Sequence, residues 1–167
     1  CQSFDVLVGT RPNLEFLGLV TGYNIQTYEF EGTFTKKKEM EDITIFLARN
    51  EIIDNIQVEI DDDANIEEPT PYRYKPIVFY GSSITEGGCC SNVKNSYTSI
   101  LSNRLDADFI CLGFSGSAKG ELPMADFINE IDMSMFVFDY DHNAPDAEHL
   151  RKTHEPFFKR IRQVHPY

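Results

Sequence analysis

The sequence predicts a two-part α/β protein: an N-terminal antiparallel β sandwich-like domain, then a layered α/β/α domain built on a parallel sheet. Three observations predict it. Residues 1–60 hold short runs of alternating apolar residues broken by turn clusters. Residues 61–75 are acidic, contain proline and show no period, which makes them a linker. Residues 76–167 alternate short apolar runs with stretches of helical spacing, the pattern of right-handed βαβ crossovers and a parallel sheet with both faces covered.

In the first part, Phe4-Asp5-Val6-Leu7-Val8 alternates and stops at the turn cluster Gly9-Thr10-Arg11-Pro12-Asn13. Tyr23 to Phe30 alternates less cleanly; it reads as a strand whose Tyr23, Tyr28 and Phe30 rings pack in a core, a sugar-stacking surface being the other use of such rings. Lys36-Lys37-Lys38 reads as a solvated loop or hairpin face. Ile43–Leu47 and Ile56–Ile60 have period two and read as strands joined through Arg49-Asn50-Glu51. The opening at Cys1 falls in mid-strand, so further residues are expected upstream. The linker carboxylates lack the spacing of a calcium loop.

In the second part, strand Pro76–Gly81 is followed by a helix near Ser96–Leu105, whose Tyr97, Ile100, Leu101 and Leu105 share one face. Strand Phe109–Leu112 leads into the loop Gly113–Gly120 and a helix around 123–131. Strand Ser134–Tyr140 precedes a helix from about Asp146, its N-cap, to Val164.

Composition narrows the partners. With 15 Lys+Arg against 27 Asp+Glu the formal charge is −12, which disfavours nucleic acid and anionic membrane surfaces and suits neutral or cationic substrates. No run of 18 apolar residues exists, so no membrane span is expected. The start lacks a signal-peptide pattern. The cysteines, Cys1, Cys89, Cys90 and Cys111, form no C-x-x-C pair; they read as buried or half-buried free thiols that suit a reducing cytosol, and neither a metal nor a cofactor is expected.

The stretch that carries chemistry is Ile77-Val78-Phe79-Tyr80-Gly81-Ser82-Ser83-Ile84-Thr85-Glu86-Gly87-Gly88, a buried-strand run ending in a Gly-Ser-Ser turn. A serine at the carboxyl end of a central strand lies where open α/β sheets bind ligands, which makes Ser83 a candidate nucleophile. A phosphate loop needs Lys-Ser/Thr after its glycines, and Cys89-Cys90-Ser91 stands there instead. The G-x-S-x-G elbow needs glycine where Thr85 stands. An ordinary strand-to-helix turn remains open on these residues alone.

Gly81-Ser82-Ser83-Ile84-Thr85 resembles the first block of the SGNH (GDSL-type) hydrolases, G-D-S-I-T, with Ser82 in place of the acid. Leu112-Gly113-Phe114-Ser115-Gly116 is similar to the second block. Asp139-Tyr140-Asp141-His142-Asn143-Ala144-Pro145 is similar to the third, with Tyr140 replacing the usual glycine. The resemblance implies a flavodoxin-like three-layer domain preceded by a β domain and a serine esterase without cofactor. It implies Ser83 as nucleophile and an oxyanion hole from the N–H groups of Ser83 and Gly113 with the Asn143 amide. Its substrates would be small acyl esters, acetyl groups on carbohydrate among them. Ser82 and His142 are candidate substrate contacts, and Glu86, Lys94 and Lys119 flank the blocks.

A serine nucleophile needs a base, which that family draws from a late D-x-x-H block. The one D-x-x-H here, Asp146-Ala147-Glu148-His149, follows the third block directly, leaving His149 as a secondary candidate. At about 30 residues per strand–helix unit, residues 76–167 hold three units, not the family's five. The expectation is therefore the first half of a longer hydrolase, with an unpaired third strand and an uncovered apolar face favouring homo-oligomers. The alternative is a non-catalytic carbohydrate-binding or interaction module derived from the same fold.

Overall fold

The computed structural model describes residues 3–49 and 52–166. Cys1, Asn50 and Glu51 of the expected strand connection, and Tyr167 lie outside them. The chain forms two compact units, one of residues up to Pro71 with Asn92–Lys94, the other of Tyr72–Ser91 and the residues from Asn95 onward.

In the first unit β1 (Phe4–Val8) is the middle of a three-stranded antiparallel sheet, paired with β2 (Glu15–Val20) and β5 (Ile43–Phe46). Val6, Leu7 and Val8 are buried there, as expected of a central strand. The expected strand over Tyr23–Phe30 is instead a tight hairpin, β3 (Gly22–Asn24) and β4 (Glu29–Glu31). Asn24 makes the turn, its Oδ1 accepting from the Gln26 N–H at 2.9 Å. The aromatics are not core: Tyr28 is 76% exposed, and Tyr23 packs on Phe30 at 4.8 Å. Ile56–Ile60 forms no strand: among the described residues no segment pairs with it, and Ile56, Val58 and Ile60 are exposed.

The second unit is built on a parallel sheet of β6 (Tyr74–Gly81), β7 (Ala107–Gly113) and β8 (Met135–Asp139) in the order β7-β6-β8. With β6 first in this unit, the order is that of a flavodoxin-like sheet, and its switch point lies between β6 and β8. The connections move outward in opposite directions, so right-handed crossovers put helices on opposite faces. Helix α1 (Ser83–Glu86) follows β6, and α2 (Tyr97–Leu105) covers the face of Ile77, Phe79 and Ala107. Helices α3 (Leu122–Ile128) and α4 (Ala147–Val164) cover Val78 and Tyr80 through Ala125, Ile128, Phe157 and Ile161. Rings from β6, β8 and α4 stack there, Phe157 lying 4.4 Å from Phe138 and 5.2 Å from Tyr80.

The inward face of α2 is not the apolar one. Thr98, Ser99 and Ser102 are buried, whereas Ile100, Leu101 and Leu105 are exposed. Small hydroxyl side chains let the helix sit close on the sheet and satisfy themselves locally: Ser102 donates to the Ala107 carbonyl at 2.7 Å, and the Ser96 and Ser99 hydroxyls meet at 2.8 Å. The thiols also differ from expectation, since Cys89 and Cys111 are exposed.

Candidate active site

The three strand ends are level. Gly81 pairs in register with Gly113 on one side and Asp139 on the other, so the segments beyond the three strands all emerge at one rim of the sheet. Gly81 is there for close approach: a Cβ would meet Thr85 Oγ1 and the Asp139 carbonyl oxygen. The chain then turns at Ser82, which is 1% exposed and caps α1, its Oγ accepting the Ile84 N–H at 3.1 Å. Ser83 opens that single turn and is half-buried. Gly87, with φ of 86°, ends it in the left-handed conformation, and Gly88 folds back to donate to the Ser83 carbonyl at 2.6 Å.

Under this elbow lies a buried polar cluster. Thr85 is fully buried and donates to Asp139 Oδ2 at 3.1 Å, and Tyr97 donates to the same oxygen at 2.9 Å. Burial, with the Asp139 charge beside it, pushes the Tyr97 phenol up to about 12. The cluster ties α1 and α2 to the end of β8.

The loop after β7 is held on every side. The Phe114 N–H donates to the Gly81 carbonyl at 2.9 Å. Ser115 gives both its N–H and its Oγ–H to the Glu86 carboxylate. At the far end Gly120 donates to the Tyr80 hydroxyl at 3.0 Å, which donates in turn to Glu121 Oε2 at 2.8 Å. Burial raises the Tyr80 phenol well above its ordinary value. Partial burial works against the Glu121 carboxylate, but hydrogen bonds from Tyr80 and from backbone N–H groups hold it below its usual range.

Asn143 arrives at the same loop from the other side. It is buried at the end of a 3-10 turn, Asp141–Asn143, and its Nδ2 donates to the Phe114 carbonyl at 2.9 Å. A carbonyl only accepts, so this contact sets the amino side of the amide against Phe114, and its Nδ2 has a second N–H besides the one it gives there. Thus the side chain of Asn143 meets the residue after Gly113, and Gly113 itself packs on the backbone of α1.

The other sequence candidates fall differently. His142 is exposed beside Asn143, and Ser82 is occupied in capping. Asp146 caps α4 by accepting the His149 N–H at 2.7 Å, as its place in the sequence suggests. His149 Nε2 lies 2.7 Å from the Lys119 carbonyl, and His154 stacks on Phe138 at 4.8 Å. Thr85 and Asp139 lie inside the first and third blocks without being singled out there, and Tyr97, Tyr80 and Glu121 lie outside all three blocks. Only the unusual tyrosine at the end of an apolar strand, Tyr80, hinted at a buried polar partner.

A family model, GDSL-like lipase/acylhydrolase, matches residues 74–167, more than half of the chain. The chain belongs to this GDSL-like lipase/acylhydrolase family. The matched span begins at the first residue of β6, so it takes in the whole parallel sheet and the three rim segments of the GDSL-like unit. Among solved structures, a GDSL-like lipase candidate from Bacteroides ovatus superimposes with a TM-score of 0.68 at 23% identity, which speaks for the fold. That match covers 99% of this chain and 48% of the other, so the chain spans about half the length of its structural relative. A comparison with curated proteins finds no match.

Among the described residues no group of three His, Cys, Asp or Glu side chains is placed to hold a metal. Nor is any described helix long and apolar enough to cross a membrane.

Proposed function

We propose that this GDSL-like unit carries the nucleophile and oxyanion half of a serine esterase acting on small acyl esters, acetyl groups on carbohydrate among them. The observation that supports it best is the level ending of β6, β7 and β8, which gathers Ser83, Gly113 and Asn143 at one rim with the Asn143 amide turned by the Phe114 carbonyl. In this reading Ser83 Oγ attacks the acyl carbonyl, forming the new C–O bond as the carbonyl π pair moves onto oxygen. The N–H groups of Ser83 and Gly113 and the free N–H of Asn143 receive that oxyanion; such a donor is worth ~3–4 kcal/mol by removal. The proton of Ser83 must pass to a base. His149 is given another role, because its Nε2 faces a carbonyl that only accepts and must therefore carry the proton.

The test is stoichiometric labelling of the full-length protein with a fluorophosphonate, followed by mapping of the adduct, because only an assembled site supplies the base. One adduct per chain on Ser83, lost in Ser83→Ala and slowed ~10²-fold in Asn143→Ala, is the expected result. A full-length protein that takes no label on Ser83 defeats the esterase reading and favours a non-catalytic binding module.

A further inference from the structure

The proposed oxyanion donors are fixed by different means. Ser83 and Gly113 are set by the sheet and by α1, whereas Asn143 sits on a 3-10 turn beyond β8, where no ladder holds the main chain. Two contacts from one loop hold it instead. Phe114 takes the Asn143 side-chain amide at 2.9 Å, and the Lys119 ammonium donates to the Asn143 main-chain carbonyl. A charged donor makes such a bond roughly twice as strong as a neutral one.

Lys119 is itself braced. Its N–H donates to Glu121 Oε2 at 3.1 Å, and its carbonyl accepts from His149 Nε2 at 2.7 Å. The next residue, Gly120, is tied to the Tyr80 hydroxyl at 3.0 Å. A lysine side chain loses much rotamer freedom when fixed, and here its backbone is fixed beforehand by three separate elements, β6, α3 and α4.

We propose that Lys119 is a positioning residue of the site. Its ammonium sets the main chain of Asn143 so that the amide turned by Phe114 presents its second N–H to the oxyanion, and His149 braces Lys119. The inference rests on the esterase reading of Ser83 and adds to it a cation that touches neither acyl group nor nucleophile. It also gives the displaced D-x-x-H a use: Asp146 starts α4, and α4 delivers His149 to the loop.

The experiment compares the full-length protein with its Lys119→Met, Lys119→Arg and His149→Leu variants and with the double variant, each checked for an unchanged urea midpoint. The rate of fluorophosphonate labelling at Ser83 is read alongside the side-chain amide resonances of Asn143. Lys119→Met should slow labelling about tenfold or more and shift those resonances, since a hydrogen bond to a charged group is lost. Lys119→Arg, which keeps a cationic donor, should return both to within about threefold and near their native positions. His149→Leu should slow labelling by less, and add nothing in the Lys119→Met background, because the two act through one contact. Native labelling in Lys119→Met, or additive effects in the double variant, overturns the inference. If the unaltered full-length protein takes no label, the esterase reading falls separately, and the resonances decide: a shift in Lys119→Met reversed in Lys119→Arg sustains the positioning role, and unmoved resonances end it.

Discussion

Gly113→Ala in the full-length protein tests the architecture of the rim with one methyl group. Gly113 is not among the glycines of positive φ, so alanine fits its backbone conformation without strain; what forbids a side chain is space. A Cβ there would lie 2.6 Å from Glu86 Cα and 2.7 Å from Glu86 Cβ, and tight against the Glu86 backbone nitrogen. Two of these atoms are main chain and cannot swing aside. Ordinary contact begins near 3.4 Å, so the end of β7 and α1 must part by about 1 Å. Overpacking of this kind costs ~1–3 kcal/mol of stability. A displacement of ~1 Å between nucleophile and oxyanion donors costs on the order of 10²-fold in rate. The variant should therefore lose a modest part of its urea stability and most of its Ser83 labelling, while Gly116→Ala, at a site with nothing within 4 Å of the new atom, tests the separate effect of a φ of 70°. Labelling at the native rate in Gly113→Ala would refute the claim that α1 and β7 are set by backbone contact.

Three further outcomes rest on packing elsewhere in the chain. Phe157→Ala removes a fully buried ring stacked on Tyr80 and Phe138 and should cost ~3–5 kcal/mol in urea unfolding of the second unit; a loss below about 1 kcal/mol would mean that the stack is not its core. In alkaline titration followed by phenolate absorbance, Tyr97 should ionise only near its folded value of about 12, and Tyr80 no earlier, because burial favours the neutral phenol in the fold. Raised folded values mean that this stability is complete below the ordinary phenol value of ~10 and is lost as pH climbs from there to about 12; all eight tyrosines ionising in one ordinary step would contradict it. Asp5→Ala empties a carboxylate that is 1% exposed and accepts from Asn92 Nδ2 at 2.7 Å, so the orphaned amide should cost the first unit ~1–3 kcal/mol and speed hydrogen exchange at residues 92–94.

What the sequence displayed and what it hid divide along physical lines. The alternation of β6, β7 and β8 with helices was legible because strand cores such as Ile77–Tyr80 are continuously apolar, and the start of α4 was legible because Asp146 caps it through its own side chain. The face of α2 was not. Apolar spacing points to Ile100, Leu101 and Leu105, but a helix that lies close on a sheet does better with small residues whose hydroxyls bond to nearby oxygens, and Ser99 and Ser102 take that place. The run Ile56–Ile60 shows the converse: period two is only half of a strand, the other half being a partner to pair with. At the candidate site, Ser83, Gly113 and Asn143 are proposed from their blocks, and each block does lie just past a strand. The groups behind them could not, because Tyr97 and Asp139, or Tyr80 and Glu121, meet only once the strands are side by side.

Two departures from the family blocks, Ser82 for the acid and Tyr140 for glycine, look in sequence like erosion of a catalytic site, and the structure gives each a physical reason instead. An aspartate at position 82 would be an N-cap; Ser82 is one, accepting the Ile84 N–H, and serine and aspartate are near equals in that role. Tyr140 is 1% exposed, its ring stacked on Phe138 at 4.6 Å and its hydroxyl 2.6 Å from Thr153. It fills the space that a side chain at residue 120 would take, since a Cβ on Gly120 would lie 3.0 Å from its ring carbons. The large residue on one loop and the small one on the other are thus a matched pair, and Asn143, three residues beyond Tyr140, still reaches the Phe114 carbonyl. Both residues thus have a structural role, one in capping and one in packing. The weight they lend to a binding module over an enzyme is therefore small, and the decision falls to Ser83 itself.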